Sequence, residues 1–332
     1  MQNEFLRLLP LENPEALLIM KSKYLRALFS FGLVFFLGVG TGAVIQKTIG
    51  VGNVLRAIGI PYPTAGVPTP AADLQPIDVP EAYRGTMALF ILAGQSNMSG
   101  GVPVPTDGPM DPRVYVFGND YHWRIAREPI DSSDGQVDRV SEDPFAGFSP
   151  SLAFALESLN HRPQIVIGLI PCAKSSSAIL QWQRNLSEQS LYGSCLKRAR
   201  AASPMGHLAG ILFFQGEADA LRPDVSLEAE PKALEWSELF STFVADFRHD
   251  LEEPDLPVVF AELGERPTPE GFVNWELVKN QQRSVQMPMV TMIVTEDLPY
   301  HDGLHFTVDS YRTIGNRFAE AYWSLVETSP GH

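Results

Sequence analysis

The chain of 332 residues is predicted to contain one α/β domain, residues 86–328, in which helices cover both faces of a parallel sheet. Apolar runs of strand length alternate with stretches whose apolar residues have helical spacing. The runs are apolar at nearly every position, which is typical of parallel strands buried on both faces. Hydrophobic residues make up 45% and charged residues 19% of the chain, so the composition supports a large core.

The individual elements follow from these patterns. Strands are predicted at residues 88–93, 114–117, 165–170, 210–214, 258–261 and 290–294. Helices are predicted at residues 151–159, 187–201, 236–250 and 308–326, and the last is clearly amphipathic. In open α/β sheets ligands bind at the carboxyl ends of the strands, so polar residues that follow a strand are candidates for a site.

The first 85 residues are predicted to anchor the domain to a membrane. Residues 27–45 form an uncharged apolar run of 19 residues, close to the ~20 that a helix needs to cross a bilayer. The basic residues Lys21, Lys23 and Arg26 precede the run, which predicts that residues 1–26 are cytoplasmic and that the domain is not. Residues 46–85 are rich in proline and are predicted to be an extended linker.

Two other interpretations of the apolar run stay open. The small residues Thr41, Gly42 and Ala43 resemble a signal-peptide cleavage site, and cleavage there would make the protein secreted. A buried core helix is the remaining interpretation, although the run shows no amphipathic face.

Charge and cysteine content exclude several classes of protein. The net charge of −14 argues against a surface that binds nucleic acid, because such surfaces need clustered Lys and Arg. The two cysteines, Cys172 and Cys195, are too few for a disulfide framework or a four-cysteine metal site. One disulfide in an oxidising compartment and two free thiols remain equally open.

One strand ends in an unusual way. The segment "LFILAGQSNMSGG", residues 89–101, passes from an apolar strand into a small polar cluster around Ser96. A plain turn would explain this cluster, and so would a nucleophile displayed at the strand end. Three other segments join apolar runs or a helix start to polar groups at what should be the same edge of the sheet: "GLIPCAKSSSAILQW", "LFFQGEAD" and "HDGLHFT".

These segments contain the groups that acyl transfer requires. A serine hydroxyl needs a histidine to take its proton, and the histidine needs an acid to orient it. Asp302 and His305 are three residues apart, close enough for the carboxylate to reach the imidazole. The oxyanion of the intermediate needs hydrogen-bond donors, which the amide of Gln215 and the backbones of Ser96 and the 175–176 turn could supply.

Alternative roles exist for two of the nearby groups. Glu217 could pair with His305 in place of Asp302, although a structural contact beneath the site is the favoured interpretation. His301 and His305 flank an acid, but their spacing and the intervening glycine do not favour a metal site.

The ordered motifs "GQSNM", "CA-x-x-x-x-x-I-x-x-W", "QGE-x-D" and "DGLHFT" resemble the SGNH-hydrolase superfamily, in particular its sialate O-acetylesterase-like carbohydrate esterases. The resemblance implies a three-layer, flavodoxin-like α/β/α fold and hydrolysis of O-acetyl groups from sugars. It implies that Ser96 is the nucleophile, that Asp302 and His305 complete a triad, and that Gln215 is a side-chain oxyanion donor. It implies no metal, organic cofactor or protein partner.

The chain departs from this family pattern at Ser175 and Ser176, where relatives usually carry a glycine pair. If the turn requires a positive φ, serine adopts it only at a cost, which could weaken the oxyanion hole.

Gln95, Asn97 and Glu217 complete the candidate oxyanion and substrate-binding group, and Gln95 and Asn97 are expected mainly to anchor the turn. Two rival functions remain: an esterase or acetyl transferase acting on other acyl esters, and a carbohydrate-binding pseudoenzyme.

Overall fold

A seven-stranded sheet forms the centre of the fold in the computed structural model, which describes residues 75–106, 108–221, 229–267 and 271–328. The described residues belong to one compact unit. The strands are β1 (Met87–Gly94), β2 (Val114–Phe117), β3 (Trp123–Ile125), β4 (Ile167–Pro171), β5 (Gly206–Phe214), β6 (Val258–Ala261) and β7 (Val290–Ile293). The α-helices are α1 (Ser96–Ser99), α2 (Ser151–His161), α3 (Leu191–Ala202), α4 (Ala229–Leu251), α5 (Trp275–Arg283) and α6 (Val308–Thr328).

The predicted N-terminal segments cannot be compared with this fold. Residues 1–26, the apolar run 27–45 and most of the linker 46–85 lie outside the described residues. Among the helices that the structure does describe, none combines the length and the apolar composition needed to cross a membrane.

The sheet has the order β3-β2-β4-β1-β5-β6-β7, and every neighbouring pair is parallel except β2 and β3. If the edge hairpin β2–β3 is set aside, the remaining order is β4-β1-β5-β6-β7. In chain order this is 2-1-3-4-5, the order of flavodoxin-like folds. The chain reverses its direction of travel across the sheet at β1 and β5, and such a switch point leaves a crevice at the carboxyl ends of the two strands.

Helices cover both faces of the sheet. Leu89 and Ile91 of β1 pack in one core cluster with buried residues of α3, α4 and α5. Phe90 and Leu92 point to the opposite face and pack with buried residues of α2 and α6. Alternate side chains of one strand therefore enter two separate cores, and the domain has three layers, as expected.

The two cysteines form a disulfide, which decides between the alternatives that the sequence leaves open. Cys172 directly follows β4 and Cys195 lies in α3, and both are buried. The bond ties the start of the segment that leads to Ser175 and Ser176 to the helix packed on the same face of the sheet. Cys172 is therefore not available as a thiol nucleophile.

Candidate active site

Ser96 lies at the carboxyl end of the central strand. β1 ends at Gly94, Gln95 caps the short helix α1, and Ser96 is the first residue of that helix. Gly94 has a φ of 129°, and a Cβ at this position would lie 2.1 Å from the carbonyl oxygen of Phe214 at the end of β5. Glycine therefore allows β1 to turn sharply beside β5, so that Ser96 lies at the switch point with 8% of its surface exposed.

His305 and Asp302 approach Ser96 from the loop that precedes α6. His305 Nε2 lies 3.0 Å from Ser96 Oγ, and His305 Nδ1 lies 2.7 Å from Asp302 Oδ2. The backbone N–H groups of Leu304 and His305 donate to Asp302 Oδ1 at 3.0 and 2.7 Å. Both oxygens of the carboxylate are thus held, and one of them faces the imidazole.

The carboxylate of Asp302 is ionised at ordinary pH. Burial favours the neutral acid, but the hydrogen bond and charge of His305, together with the backbone N–H groups, outweigh burial and lower the pKa of Asp302 to about 2. An ionised carboxylate accepts a hydrogen bond from Nδ1–H, which leaves Nε2 of a neutral imidazole free to accept the proton of Ser96. This arrangement can activate the serine hydroxyl as a nucleophile.

The domain that carries these three side chains matches a known family. Residues 86–324, more than half of the chain, match the family model described as carbohydrate esterase, sialic acid-specific acetylesterase. The chain belongs to this family. It is therefore an ester-hydrolysing enzyme of the carbohydrate acetylesterase type.

Individual proteins similar to this esterase agree with the family match. A probable carbohydrate esterase of Arabidopsis thaliana is 28% identical over 257 residues, which are 71% of this chain and 90% of that protein. The X-ray structure of an Arabidopsis protein, 27% identical, has a TM-score of 0.60 and covers 72% of this chain and 99% of its own. A carbohydrate acetylesterase from Xanthomonas citri and the protein NanS share the fold, each at 17% identity with a TM-score of 0.51. They cover 73% and 74% of this chain, and 57% and 99% of their own.

The structure corrects the predicted role of Gln215 in this esterase. Its side chain is fully buried, and Nε2 donates to the carbonyl of Ser177 at 2.9 Å and to Asp219 Oδ2 at 2.5 Å. Its Oε1 accepts from the indole N–H of Trp236 at 2.9 Å, which fixes the orientation of the amide. Because both strong acceptors take the amide hydrogens, Gln215 offers no free donor to an oxyanion, and it instead orders the turn after β4.

The two serines of the family's glycine-pair position differ from each other. The N–H of Ser175 donates to Asp143 Oδ2 at 3.0 Å, so the prediction that it donates to an oxyanion is wrong for this geometry. Ser176 is exposed, has a φ of 61°, and has an N–H without a partner in the described part of the chain. The turn therefore does require the positive φ that a glycine would adopt freely, and Ser176 retains the available donor.

Gln95, Asn97 and Glu217 form a buried group of polar side chains next to Ser96 and His305. Gln95 Oε1 accepts from the N–H of Ala218 at 3.2 Å. Asn97 Nδ2 donates to Glu217 Oε1 at 2.5 Å, and the three side chains are each at most 3% exposed. These contacts hold the turn after β1 in place, and the substrate-binding role of the three residues stays a prediction.

Glu217 is not the acid that faces His305. Its carboxylate contacts Asn97, whereas Asp302 contacts the imidazole. Burial raises the pKa of Glu217, and the hydrogen bond from Asn97 offsets part of that shift. The second oxygen, Oε2, is buried without a hydrogen-bond partner among the described residues.

Sequence reasoning missed three residues that shape the site. Asp143 lies in an irregular segment with no periodic pattern, and nothing in the sequence links it to Ser175. Tyr311 lies on the predicted last helix, so its burial was foreseeable, but its hydroxyl donates to Asn97 Oδ1 at 2.7 Å across 214 residues. Gly101 ends the quoted segment around Ser96, and a Cβ there would lie 2.3 Å from Cδ2 of His305.

Proposed function

We propose that this protein is a serine esterase that removes O-acetyl groups from carbohydrate through Ser96, His305 and Asp302. The observation that carries the proposal is the continuous chain of hydrogen bonds from Ser96 Oγ to His305 and from His305 to Asp302, at 3.0 and 2.7 Å. It lies at the switch point of the sheet, where folds of this class bind ligands.

The first half of the reaction transfers the acetyl group to the enzyme. Ser96 Oγ attacks the acetyl carbonyl carbon while His305 Nε2 takes the hydroxyl proton, and Asp302 stabilises the imidazolium that results. The negative charge on the carbonyl oxygen is stabilised by the N–H groups of Ser96 and Ser176, neither of which has a partner within the described residues. The carbon–oxygen bond to the sugar then breaks, and His305 gives its proton to the departing sugar oxygen.

The second half of the reaction restores the enzyme. His305 Nε2 takes a proton from a water molecule, whose oxygen attacks the carbonyl carbon of acetyl-Ser96. The bond between Ser96 Oγ and the acetyl carbon breaks, acetate leaves, and the proton returns from His305 to Ser96. Asp302 remains ionised throughout, in agreement with its lowered pKa.

Acetylated carbohydrate, of the sialate or xylan type, is the proposed substrate class. The family description and the relatives named for carbohydrate esterase activity support this choice. Acetyl is a small acyl group, and preference for acetyl over longer chains is the property that separates this function from that of a general acyl esterase or an acetyl transferase.

We also propose that residues 27–45 anchor the enzyme in a membrane, with the catalytic domain on the non-cytoplasmic side. The apolar run and the basic residues before it support this placement. The disulfide between Cys172 and Cys195 is also typical of an oxidising compartment. Cleavage after the run would release the same domain as a secreted enzyme.

The decisive assay measures the release of acetate, or of butyrate from the butyryl ester, by the detergent-solubilised full chain and its Ser96→Ala variant. The substrates are acetylated xylan, O-acetylated sialic acid, and short acetyl and butyryl esters. The proposal requires acetate release by the parent, loss of release in the variant, and preference for acetyl over butyryl. Equal turnover by the variant contradicts it. Binding of acetylated glycan by a folded parent without turnover would instead identify a pseudoenzyme.

A further inference from the structure

The turn after β4 has one backbone N–H group that donates to no atom of the described residues. Lys174 N–H donates to the carbonyl of Gly94 at 2.9 Å, and Ser177 N–H donates to the carbonyl of Lys174 at 3.2 Å. Ser175 N–H donates to Asp143 Oδ2. The N–H of Ser176 is the remaining donor of the turn. Because the N–H groups of Lys174, Ser175 and Ser177 already have acceptors, Ser176 is the residue of the turn whose N–H can face an oxyanion.

This free donor belongs to a residue in an unfavourable backbone conformation. The φ of Ser176 is 61°, in the left-handed region, where a Cβ has a steric cost that glycine avoids. A residue persists in such a conformation only when its surroundings hold it there. The contacts on either side of Ser176 must therefore supply that restraint.

The side chain of Asp143 is placed to hold Ser176 in this backbone conformation. The residue is 2% exposed, and its Oδ2 accepts from Ser175 N–H at 3.0 Å and from the hydroxyl of Ser99 at 3.2 Å. Its Oδ1 accepts from the N–H of Phe145 at 3.3 Å. Ser99 lies in α1, the helix that begins with Ser96. One buried carboxylate therefore connects the helix of the nucleophile to the turn of the free donor.

A second contact fixes the same segment to the turn. Lys174 Nζ donates to the carbonyl of Glu142, the residue before Asp143, at 2.6 Å. The side chain of Asp143 thus contacts the turn, and the side chain of Lys174 in the turn contacts the segment that contains Asp143. These two contacts limit how far Asp143 can move from Ser175.

We propose that Asp143 is a positioning residue that holds the 174–177 turn so that the Ser176 N–H stabilises the oxyanion. This inference rests on the proposed serine esterase function. Asp143 compensates for serine at the glycine-pair position: it occupies the N–H of Ser175, keeps Ser176 at positive φ, and fixes the distance between that donor and Ser96.

The test uses Asp143→Asn, which keeps the shape of the side chain but replaces one acceptor oxygen with a donor. The amide then cannot accept from both Ser175 N–H and Phe145 N–H, so one backbone contact is lost in either orientation. A small displacement of a catalytic donor costs roughly 10²-fold in rate, so we expect a fall of this size in kcat with little change in KM. Ser99→Ala is the matched control, because it removes one partner of Asp143 and leaves the Ser175 contact; a smaller loss is expected.

Rescue by glycine separates positioning from general destabilisation. Ser176→Gly in the Asp143→Asn background removes the steric cost of positive φ, so the turn needs less restraint and most of the lost kcat should return. The Ser176→Gly single variant gives the baseline of this cycle. If Asp143→Asn does not fold, Asp143→Glu, which keeps the charge and shifts the oxygens by one methylene, should show the same loss and the same rescue.

The outcomes separate this inference from the function on which it rests. Parent turnover that Ser96→Ala abolishes, together with unchanged kcat in both Asp143→Asn and Asp143→Glu, overturns the role of Asp143 alone. A loss that Ser176→Gly does not restore also overturns it, because such a loss reflects damage outside the turn. A folded parent without turnover overturns the esterase function and this inference together.

Discussion

Asn97 Nδ2 donates to the carbonyl oxygen of Leu304 across 3.3 Å and so joins the residue after Ser96 to the residue before His305. The other hydrogen of the same amide goes to Glu217, and its oxygen accepts from Tyr311. The amide is therefore fixed in both position and orientation. The distance between Ser96 and the imidazole of His305 therefore depends on the Asn97–Leu304 hydrogen bond as well as on the hydrogen bond between Ser96 and His305.

Tyr311→Phe should weaken the hydrogen bond between Asn97 and Leu304. The variant leaves the buried Oδ1 of Asn97 without its donor, which costs about 1–3 kcal/mol of unfolding free energy and lets the amide rotate, so kcat should fall. Tyr322→Phe is the matched control, because Tyr322 lies on the same helix and donates to Ala209 at the opposite end of β5 from the site. Urea unfolding and kcat should show stability losses in both variants and a loss of kcat in Tyr311→Phe alone. Equal kcat in the two would contradict the positioning role of Asn97.

Asp302→Asn should abolish most turnover without unfolding the protein. The asparagine cannot stabilise an imidazolium and favours the wrong imidazole tautomer, and in serine protease triads the same change lowers kcat by roughly 10⁴. Glu217→Gln should be far milder, since its Oε1 can still accept from Asn97. Steady-state kinetics of the two variants, with circular dichroism as a check of folding, measure this difference. If Glu217→Gln is the more damaging change, the assignment of the acid is wrong.

Gly101→Ala should displace the imidazole of His305. The added Cβ would lie 2.3 Å from Cδ2 and 2.4 Å from Cγ of His305, far inside contact distance, so the ring must move away. A displacement of this kind costs roughly 10²-fold in kcat. Gly108→Ala is the control, because a Cβ there meets no atom of the described residues within 4 Å. Normal kcat in Gly101→Ala would show that His305 does not need its observed position.

Buried Glu128 should make stability fall as pH rises. Burial raises the pKa of this carboxyl to about 8, although the N–H of Ile130 and the hydroxyl of Ser149 partly offset the shift. In the unfolded chain a glutamate titrates at about 4.3, so between about pH 4 and pH 8 the folded state holds a proton that the unfolded state has released. A raised pKa of this sign destabilises the fold progressively as pH increases through that window.

Glu128→Gln removes this titration while keeping the acceptor for Ile130 and a donor for Ser149. The variant should gain stability relative to the parent as pH rises from 5 to 8, by at most ~1.4 kcal/mol per pH unit. Urea unfolding of both proteins at several pH values measures the difference. A difference that does not change with pH would show that Glu128 is ionised in the folded state.

Much of the sheet was predictable because its strands are buried on both faces. β2 and β6 have the predicted bounds, and the other four predicted strands differ by a few residues at their ends. β3 was missed because it is a half-buried edge strand of three residues, too short for a pattern. Helix α5 was missed because its nine residues carry few apolar side chains, and α3 starts later than predicted because Ser190 caps it.

The candidate site shows where sequence reasoning stops. Ser96 follows a strand in one motif, and Asp302 and His305 precede a helix in another, so the sequence singled them out as candidates, and the structure brings their side chains together. For Gln215 the sequence suggested an oxyanion as the partner, whereas the side-chain amide donates to Ser177 and Asp219. The spacing of residues along the chain does not reveal these two contacts. The contacts of Asp143, Tyr311 and Gly101 near the site depend on distances across the fold rather than on spacing along the chain.

The most direct test of the central claim is covalent labelling of the full chain with a fluorophosphonate, followed by peptide mass spectrometry. The reagent loses fluoride when an activated serine attacks its phosphorus, so it reports the nucleophile itself. The account predicts one label, on Ser96, that is absent in Ser96→Ala and strongly slowed in His305→Ala. An active enzyme that carries no label on Ser96, or carries it on another residue, would contradict the account.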